Sequence, residues 1–459
     1  MKLEIQQARA REVALQILNK IEQQGAYSNL LLNDVLQRNA LEAREVALVT
    51  ELIYGTTQRL NTIDLILQQY LSKDIAKLQP WVRNLLRLSA YQFLFLDRIP
   101  PHAIVNEAVK IAKKQGHSGI SGLVNAVLRK MVARIGFPDI PSDLSLEEQI
   151  GFRYSHPAWL IQRWISQYGQ EVTEQMAAAN LLPPHISIRV NRLRITREQL
   201  LEEINASGRN ATPSYLSSDG IIVGSGGNMA HSPWYMNGHC TIQDESSMVV
   251  AAAVQPSRGM RILDCCAAPG GKSTHLAEWM NDEGSIIACD IHPHKIEIIK
   301  QNAARLGIKC IDTFCIDATQ LSEHFAAHSF DSILLDVPCS GLGVIRRKPE
   351  VKWNKSEHEI KTLVQLQRNL LSTIQPLLKP GGTLIYSTCT LNHEENEDQI
   401  YWFLSQYDTF RLEPPTSSAI ASHLLERCSS KDGMISILPH YFGSDGFFIA
   451  RLRKSYSHG

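Results

Sequence analysis

Two cysteines follow apolar runs of the kind that forms buried strands, at points where a side chain can reach a ligand. Cys339 lies in the segment DVPCSGLG, which begins at Asp336, and Cys389 lies in the segment YSTCT. Because the carboxyl ends of parallel strands meet at one edge of a sheet, we expect both thiols and this carboxylate at the same edge. A thiolate is a strong nucleophile and a carboxylate can transfer protons, so the three groups are suited to covalent catalysis.

Thiols in this position suit a substrate atom that is itself a poor nucleophile. Methyltransferases that act on exocyclic amino groups commonly carry an Asp/Asn-Pro-Pro-aromatic turn at this strand end, whereas the present turn carries a thiol. C5 of cytosine cannot attack a methyl sulfonium efficiently unless a thiolate first adds to C6. Protonation at N3 would assist that addition, and a base must later remove the C5 proton. The sequence pattern alone leaves open which thiol attacks.

The segment DCCAAPGGK ends the apolar run RILDCC and precedes a helical pattern, so it is a candidate cofactor loop. Small residues let the backbone approach a ligand, and a helix N-terminus offers unpaired N–H groups. A P-loop would need glycine where Cys266 stands, and the dinucleotide fingerprint G-x-G-x-x-G is absent. Of the three cofactors that could use such a turn, a phosphate-loop nucleotide, a dinucleotide and S-adenosylmethionine, the last remains the candidate. The residues predicted to contact it are Cys266, Ala267, Ala268, Pro269, Gly270, Gly271 and Lys272.

Acidic residues end the following strand-like runs. Asp290 ends SIIACD, where a carboxylate can accept both ribose hydroxyls, and Asp317 ends CIDTFCID, within reach of an adenine amino group. Helix capping is a common alternative role for aspartate. Because Asp336 ends the next run in the same way, we interpret the three acids as cofactor contacts.

The elements that position these residues form an alternating pattern from about residue 244 onward. The runs RILDCC, SIIACD, CIDTFCID, DSILLD and TLIYST predict parallel strands buried on both faces, and MISILP and GFFIARL predict a closing antiparallel pair. Helices are predicted at residues 272–280, 293–306, 356–378 and 394–407. The pattern is that of a doubly wound α/β domain. Asn392, with Glu394, Glu395 and Glu397, is interpreted as a helix cap with an acidic first turn.

The rest of the chain predicts two further parts, so that the protein is multidomain. Apolar residues at helical spacing predict an all-α bundle over residues 1–135, with a break at Pro100-Pro101 and a flexible turn at residues 116–122. Short strand-like runs around the helix-like TREQLLEEIN predict a small α+β domain within residues 136–243, and residues 244–459 form the α/β domain. The small domain carries four arginines that form either a phosphate-contacting surface or a solvated charged face: Arg189, Arg192, Arg194 and Arg197.

Composition excludes several classes of protein. The 46 Lys and Arg residues balance 46 Asp and Glu residues, so any nucleic-acid footprint must be local. The chain has no apolar run long enough to span a membrane and begins without the apolar segment of a signal peptide. Nine cysteines without CxxC spacing indicate reduced thiols in a cytoplasmic protein and no metal site. Those interpreted as buried and structural are Cys265, Cys289, Cys310 and Cys315.

Four segments resemble those of the RNA cytosine-C5 methyltransferases: DCCAAPGGK, DVPCSGLG, RRKPEVKW and YSTCTLNHEENE. The segments RNLLRLSAYQFLFLDRIPPHAIVNEAVKIAKKQG and LVNAVLRK resemble the NusB-like RNA-binding helical domain. With both parts considered, nearly the whole chain resembles the small-subunit ribosomal RNA methyltransferases of the B (Sun/Fmu-like) type. The resemblance implies a Rossmann-like methyltransferase domain that uses S-adenosylmethionine.

This resemblance also implies roles for individual residues. Cys389 corresponds to the nucleophile and Cys339 to the thiol that assists product release, while Asp336 both contacts the cofactor and presents a proton to N3. The loop from Cys266 to Lys272, with Asp290 and Asp317, corresponds to the other cofactor contacts. The implied substrate is 16S ribosomal RNA, free or in an assembling small subunit. The residues implied to contact its phosphates are Arg346, Arg347 and Lys348.

Three other functions compete with this one. The same catalytic segments would serve for transfer RNA methylation, and the helical region alone would serve for a non-catalytic RNA-binding assembly factor. The intact pair of cysteines argues against the second of these. A nucleotide hydrolase is disfavoured because the P-loop lacks its first glycine.

Overall fold

The computed structural model describes residues 2–25, 28, 31–32, 41–134, 143–224, 228–415 and 420–456. The chain forms two compact units, the first made of Met1–Leu182 with Ile345–Asn354 and the second of Pro183–Val344 with Lys355–Gly459. The boundary expected at residue 243 lies inside the second unit, and the division into three domains stays a prediction.

The first unit consists of amphipathic helices that pack their apolar faces into one core. The apolar positions recur at intervals of three and four residues, as in Val82, Leu85 and Leu86 of one helix, all of which are almost fully buried. The labelled helices are α1 Lys2–Gln24, α2 Ala43–Gln58, α3 Leu60–Gln68, α4 Pro80–Phe95, α5 Pro101–Gln115, α6 Ser118–Val132, α7 Leu146–Tyr154, α8 Ala158–Tyr168 and α9 Gln170–Asn180. A single-turn helix, Val351–Asn354, also belongs to this unit.

Two boundaries in the first unit test the sequence analysis. The predicted break at Pro100-Pro101 is confirmed, because α5 begins at Pro101, where a missing N–H costs no helical hydrogen bond. The predicted turn at residues 116–122 is wrong beyond its first two residues, since α6 begins at Ser118. A glycine in a helix costs only about 1 kcal/mol, and the buried face that includes Val124 and Leu128 outweighs that cost.

The second unit contains a small antiparallel sheet. Its strands are β1 Ile186–Val190, β2 Ala211–Pro213, β3 Gly220–Val223 and β4 Cys240–Ile242, in the order β2-β3-β1-β4. Helix α10, Arg197–Ala206, begins with a capping box in which Thr196 and Gln199 bind each other's backbone N–H groups. The predicted small α+β fold is thus confirmed.

The second unit also contains the large predicted sheet. Its strands are β5 Arg261–Asp264, β6 Ser285–Asp290, β7 Ile311–Cys315, β8 Phe330–Asp336, β9 Leu378–Thr388, β10 Phe410–Leu412, β11 Ile435–Ile437 and β12 Phe447–Lys454. The order is β10-β12-β9-β8-β5-β6-β7, with β11 paired to β12. Strands β5 to β9 pair in parallel, whereas β12 is antiparallel to β9, β10 and β11. The predicted parallel sheet and its closing antiparallel pair are confirmed.

Alternate residues of the central strands point into two different apolar clusters. On β8, Leu334 lies in one cluster and Leu335 in the other, as the period of two requires. Strand β7 differs from the prediction of burial on both faces, because it lies at the sheet edge and Phe314 and Cys315 are exposed. The longer helices that cover the sheet are α11 Glu245–Val254, α12 Gly271–Trp279, α13 Pro293–Leu306, α14 Glu357–Ile374, α15 Glu397–Gln406 and α16 Ser422–Cys428.

Candidate active site

The carboxyl ends of the parallel strands bring the chemically important residues to one edge of the large sheet. Strand β5 ends at Asp264 and β8 ends at Asp336, and these two strands are direct neighbours. Strand β9, on the other side of β8, ends at Thr388, one residue before Cys389. The loop that follows β8 carries Cys339 and the loop that follows β9 carries Cys389, and we call them the thiol loops. They start side by side, as the sequence predicted for an edge that binds ligands.

The two cysteines of these loops are in direct contact. Cys339 Sγ lies 3.4 Å from Cys389 Sγ, and both side chains are partly exposed. The hydrogen bond with Cys389 and burial raise the pKa of the Cys339 thiol well above its ordinary value. Cys339 therefore holds its proton, and a thiol proton beside Cys389 would stabilise a thiolate there.

A close approach of two loops supports this contact. The Gly343 N–H donates to the Cys389 carbonyl at 2.9 Å, and the Gly446 N–H donates to the Gly343 carbonyl at 2.8 Å. A Cβ added at Gly343 would lie 2.2 Å from the Gly446 carbonyl oxygen, so only glycine allows this packing. The sequence DVPCSGLG thus supplies both a thiol and the glycine that its partner loop requires.

Asp336 is held from two sides. The Lys272 ammonium donates to Asp336 Oδ2 at 2.6 Å, and the Ser387 hydroxyl donates to Oδ1 at 2.7 Å. Burial lowers the pKa of Lys272, but the Asp336 carboxylate outweighs this effect, so the net shift is upward. Lys272 of the predicted cofactor loop and Asp336 at the end of β8 therefore form one ion pair.

The predicted cofactor loop lines a pocket beside this ion pair. Gly270, with φ of +94°, adopts a left-handed conformation that glycine reaches without strain, and it precedes the first turn of α12. Gly270, Asp290 and Asp317 are absent from the pocket wall. The lining residues are Ile242, Gln243, Ser247, Asp264, Cys266, Ala267, Ala268, Pro269, Gly271, Lys272 and Asp336.

Asp264 is a pocket residue that the sequence analysis missed. Its Oδ2 accepts from the Ser273 hydroxyl at 2.6 Å, whereas its buried Oδ1 has no hydrogen-bond partner. Burial raises the pKa of this carboxyl to about 7. An unsatisfied buried acceptor in the pocket wall fits a cationic or N–H-bearing ligand such as the ammonium of S-adenosylmethionine. The signal was available, because Asp264 ends its strand just as Asp290 and Asp336 end theirs.

Asp290 and Asp317 have local partners in the structure. Asp290 is buried, and one of its oxygens accepts from the His292 N–H at 3.0 Å. Asp317 accepts from the Thr319 N–H at 2.9 Å and caps the 3₁₀ helix Ala318–Gln320. The capping role considered for these acids is thus present at Asp317, and their cofactor contacts stay predictions.

The arginines of the small sheet do not form one surface. Arg189 is fully buried and pairs with the buried Glu278 at 2.7 Å, so its assignment to either kind of exposed face is wrong. Its guanidinium also donates to the Gly271 carbonyl and to the Thr274 hydroxyl, in the first turn of α12. Arg189 is buried because strand β1 packs against helix α12, and a pattern of charges in the sequence does not reveal such packing.

The basic segment Arg346-Arg347-Lys348, which follows the loop of Cys339, belongs to the first unit. Arg346 is buried there and its Nε donates to the Ala179 carbonyl at 3.1 Å, which gives this side chain a structural role. Arg347 and Lys348 are partly exposed. Contact with RNA phosphates stays a prediction for this segment.

The remaining cysteines and acids divide differently from the expectation. Cys265 and Cys289 are buried, whereas Cys310 is partly exposed and Cys315 is exposed, so the prediction of burial is wrong for Cys315. Asn392 makes no side-chain cap hydrogen bond. Glu395, interpreted as part of an acidic first turn, is instead fully buried. Glu395 can be buried because groups of the thiol loops donate hydrogen bonds to it. No local sequence pattern predicts these contacts.

Within the described ranges, no group of three or more His, Cys, Asp or Glu side chains is arranged to hold a metal ion. In the same ranges, no helix is long and apolar enough to cross a bilayer.

A doubly wound parallel sheet, an antiparallel strand inserted near one end and a glycine-containing turn after the first strand define a Rossmann-like methyltransferase. Comparisons with known proteins give the family. Residues 251–453 match the family described as 16S rRNA methyltransferase RsmB/F, residues 8–133 match the NusB family, and residues 156–230 match the ferredoxin-like domain of RsmF/B-like methyltransferases.

Relatives match over nearly the whole chain. The probable ribosomal RNA small subunit methyltransferase B of Bacillus subtilis is 43% identical over 97% of this chain and 98% of its own. The corresponding Synechocystis protein is 36% identical, over 97% and 99%. The crystal structure of PH0851 is 29% identical, with a TM-score of 0.82, over 98% of both chains. The chain belongs to the RsmB/F family of methyltransferases that carry a NusB domain, and its cofactor is S-adenosylmethionine.

Proposed function

We propose that the protein methylates C5 of a cytosine in RNA through a covalent bond between Cys389 and C6. The observation that carries this proposal is the contact of two thiols beside a cofactor loop, 3.4 Å apart at the carboxyl edge of the sheet. Methyl transfer to an exocyclic nitrogen would have no use for such a pair, whereas transfer to a ring carbon needs one nucleophile and a group that helps to release it.

The first step is addition to the ring. Cys389 Sγ, as a thiolate, attacks C6, and the electron pair of the C5–C6 double bond shifts toward C5 and the N3 side of the ring. Asp336, held by Lys272 and Ser387, is the acid–base group on the adjacent strand that serves N3. The bound cofactor supplies an electrophilic methyl group, which C5 takes up.

The second step frees the product. A base removes the proton from C5, the electron pair re-forms the C5–C6 double bond, and the C6–Sγ bond breaks to leave the Cys389 thiolate. The Cys339 thiol, whose pKa is raised by Cys389 and by burial, carries a proton beside the departing sulfur. A hydrogen bond to that sulfur makes it a better leaving group.

The proposed substrate is 16S ribosomal RNA of the small subunit. The B. subtilis and Synechocystis relatives are both named probable ribosomal RNA small subunit methyltransferase B, and they match from end to end. The NusB-like helices of the first unit and the partly exposed Arg347 and Lys348 are the proposed RNA-contacting groups. A flipped-out or single-stranded cytosine is required, because the thiol must reach the face of C6.

The experiment is methyl transfer from labelled S-adenosylmethionine to 16S transcripts and to transfer RNA, followed by nucleoside analysis. We expect label in 5-methylcytidine from the 16S transcript. Label in transfer RNA alone would favour the competing substrate, and label in N4-methylcytidine would contradict the proposed chemistry.

A further inference from the structure

Glu395 is a buried carboxylate between the two thiol loops that the mechanism above does not use. It ends the 3₁₀ helix His393–Glu395 and is fully inaccessible to solvent. A buried carboxylate is costly unless it is paired or hydrogen-bonded. Its hydrogen-bond partners therefore indicate what this residue does.

One side of Glu395 binds the loop of Cys339. Oε1 accepts from the Ser340 N–H at 2.8 Å, and Oε2 accepts from the Ser340 hydroxyl at 2.5 Å. Gln367 Nε2 donates both to Oε1, at 3.1 Å, and to the Pro338 carbonyl, at 3.0 Å. The residues before and after Cys339 are thus both tied, directly or through one amide, to the same carboxylate.

The other side of the network binds the loop of Cys389. The Thr390 and Ser340 hydroxyl oxygens are 2.7 Å apart, and since the Ser340 proton goes to Glu395, Thr390 is the donor. Asn392 Nδ2 donates to Glu395 Oε2 at 3.2 Å. The two neighbours of the thiols in sequence, Ser340 and Thr390, are therefore linked to each other and anchored at Glu395.

We propose that Glu395 is a positioning residue that fixes the two thiol loops so that Cys339 Sγ and Cys389 Sγ stay in contact. The donors named above, Ser340, Gln367 and Asn392, are uncharged, so within the described part of the chain the carboxylate is held by groups whose positions matter for the thiols. Its charge also contributes, after the effects of Cys389 and burial, to raising the pKa of Cys339.

The test measures the thiol contact in the full-length protein without RNA. Copper phenanthroline with dioxygen removes two electrons and two protons from a thiol pair, and peptide mapping gives the rate at which the Cys339–Cys389 disulfide forms. We expect Glu395→Ala to slow this reaction by about tenfold or more, the factor for losing a hydrogen bond to a buried charge. Glu395→Gln, which still accepts from the Ser340 N–H, should fall between this variant and the wild type.

The matched control is Glu413→Gln. Glu413 pairs with Arg453 at 2.7 Å and with Arg451 at 3.0 Å in the same unit, and both arginines lie on strand β12, outside the thiol loops. Its disulfide rate should equal that of the wild type. If Glu395→Ala fails to fold, as judged by thermal unfolding and S-adenosylhomocysteine binding, Glu395→Gln and Ser340→Ala decide. If Glu395→Ala folds, a wild-type rate of disulfide formation in this variant would overturn the proposal. If it does not fold, wild-type rates in both Glu395→Gln and Ser340→Ala would overturn it.

A second readout concerns catalysis and rests on the proposed covalent function. With RNA and cofactor, Glu395→Gln should retain its KM for RNA but lose kcat and accumulate RNA-linked protein, because release depends on the position of Cys339. Slower disulfide formation without RNA-linked protein in any variant would leave the positioning role intact and count against the covalent mechanism. An unchanged rate of disulfide formation in Glu395→Gln, together with RNA-linked protein, would count against the positioning role and leave the covalent mechanism intact.

Discussion

The two thiols at the sheet edge are chemically unequal although their sulfur atoms are only 3.4 Å apart. Cys339 has a pKa raised first by its hydrogen bond with Cys389 and then by burial. A proton shared between two sulfur atoms stays with the one whose thiolate is the less stable. In the proposed mechanism, this inequality suits Cys339 to the role of hydrogen-bond donor and Cys389 to the role of nucleophile.

Removing Cys389 should make Cys339 more reactive. In Cys389→Ala the main cause of the raised pKa is gone, so more Cys339 is thiolate at a given pH and alkylation by iodoacetamide is faster. Mass spectrometry of labelled peptides measures the rate, with the exposed Cys315 as internal reference. Equal or slower labelling of Cys339 in the variant would show that Cys389 does not raise the pKa of the Cys339 thiol.

Asp264→Asn should change stability and cofactor binding in opposite directions. The folded pKa of Asp264, about 7, exceeds the ordinary 3.8, so its favourable contribution to folding is present below pH 4 and lost as the pH rises through 7. Asparagine removes that loss, and the cofactor-free variant should gain in thermal stability over the wild type more at pH 8 than at pH 5. Weaker S-adenosylhomocysteine binding should accompany the gain, since the acceptor for an ammonium becomes neutral. A parallel shift at both pH values would contradict this assignment.

At the scale of elements, Arg189 connects the small sheet to the cofactor helix. Strand β1 carries the arginine, and α12 carries its partners Gly271, Thr274 and Glu278. Both charged side chains are fully buried, so each depends on the other. The helix whose first turn lines the predicted cofactor pocket is therefore held in place by contacts with a second sheet.

Arg189→Ala should destabilise the second unit by about 3–5 kcal/mol, because Glu278 would remain buried without its partner. Thermal unfolding should show a lower transition temperature together with weaker cofactor binding. Replacing both residues, as Arg189→Met with Glu278→Met, should recover much of the stability. A single variant as stable as the wild type would show that the ion pair contributes nothing to the unit.

Elements were predictable where one local pattern decides them. The strand ending at Asp290 and the helix at residues 293–306 lie where the sequence placed them, because period and capping signals agree there. The contacts of Arg189 with Glu278 and of Glu395 with Ser340 and Gln367 were not predictable, since these partners lie 28 or more residues away along the chain. The exposure of β7 was missed because apolar content does not reveal which strand ends a sheet.

At the scale of the whole molecule, the chain returns to the first unit after the thiol loop. In this ten-residue segment, Ile345–Asn354, Lys352 Nζ donates to the Gln58 carbonyl at 2.9 Å and Trp353 Nε1 to the Thr57 carbonyl at 2.7 Å. Glu350 accepts from the Ser28 N–H and hydroxyl at 3.0 and 2.9 Å. The segment that follows Cys339 in sequence thus packs with the NusB-like helices.

Lys352 is the costly member of this segment. It is fully buried, and burial lowers its pKa well below the ordinary value, so its contribution to stability is lost as the pH falls through the folded pKa. Lys352→Met should therefore raise the transition temperature of the first unit, and the gain should grow toward acidic pH. A loss of stability that is the same at every pH would mean that its hydrogen bond to Gln58 outweighs the buried charge.

The proposed covalent bond between Cys389 and the RNA base can be tested directly on one gel. Wild-type, Cys339→Ala and the double variant with Cys389→Ala are incubated with 16S RNA and S-adenosylmethionine and run under denaturing conditions. Cys339→Ala should accumulate an RNA-linked band, because addition proceeds while release is impaired, and the double variant should show none. A band that persists when Cys389 is absent, or that appears in Cys389→Ala alone, would contradict the assignment of Cys389 as the nucleophile.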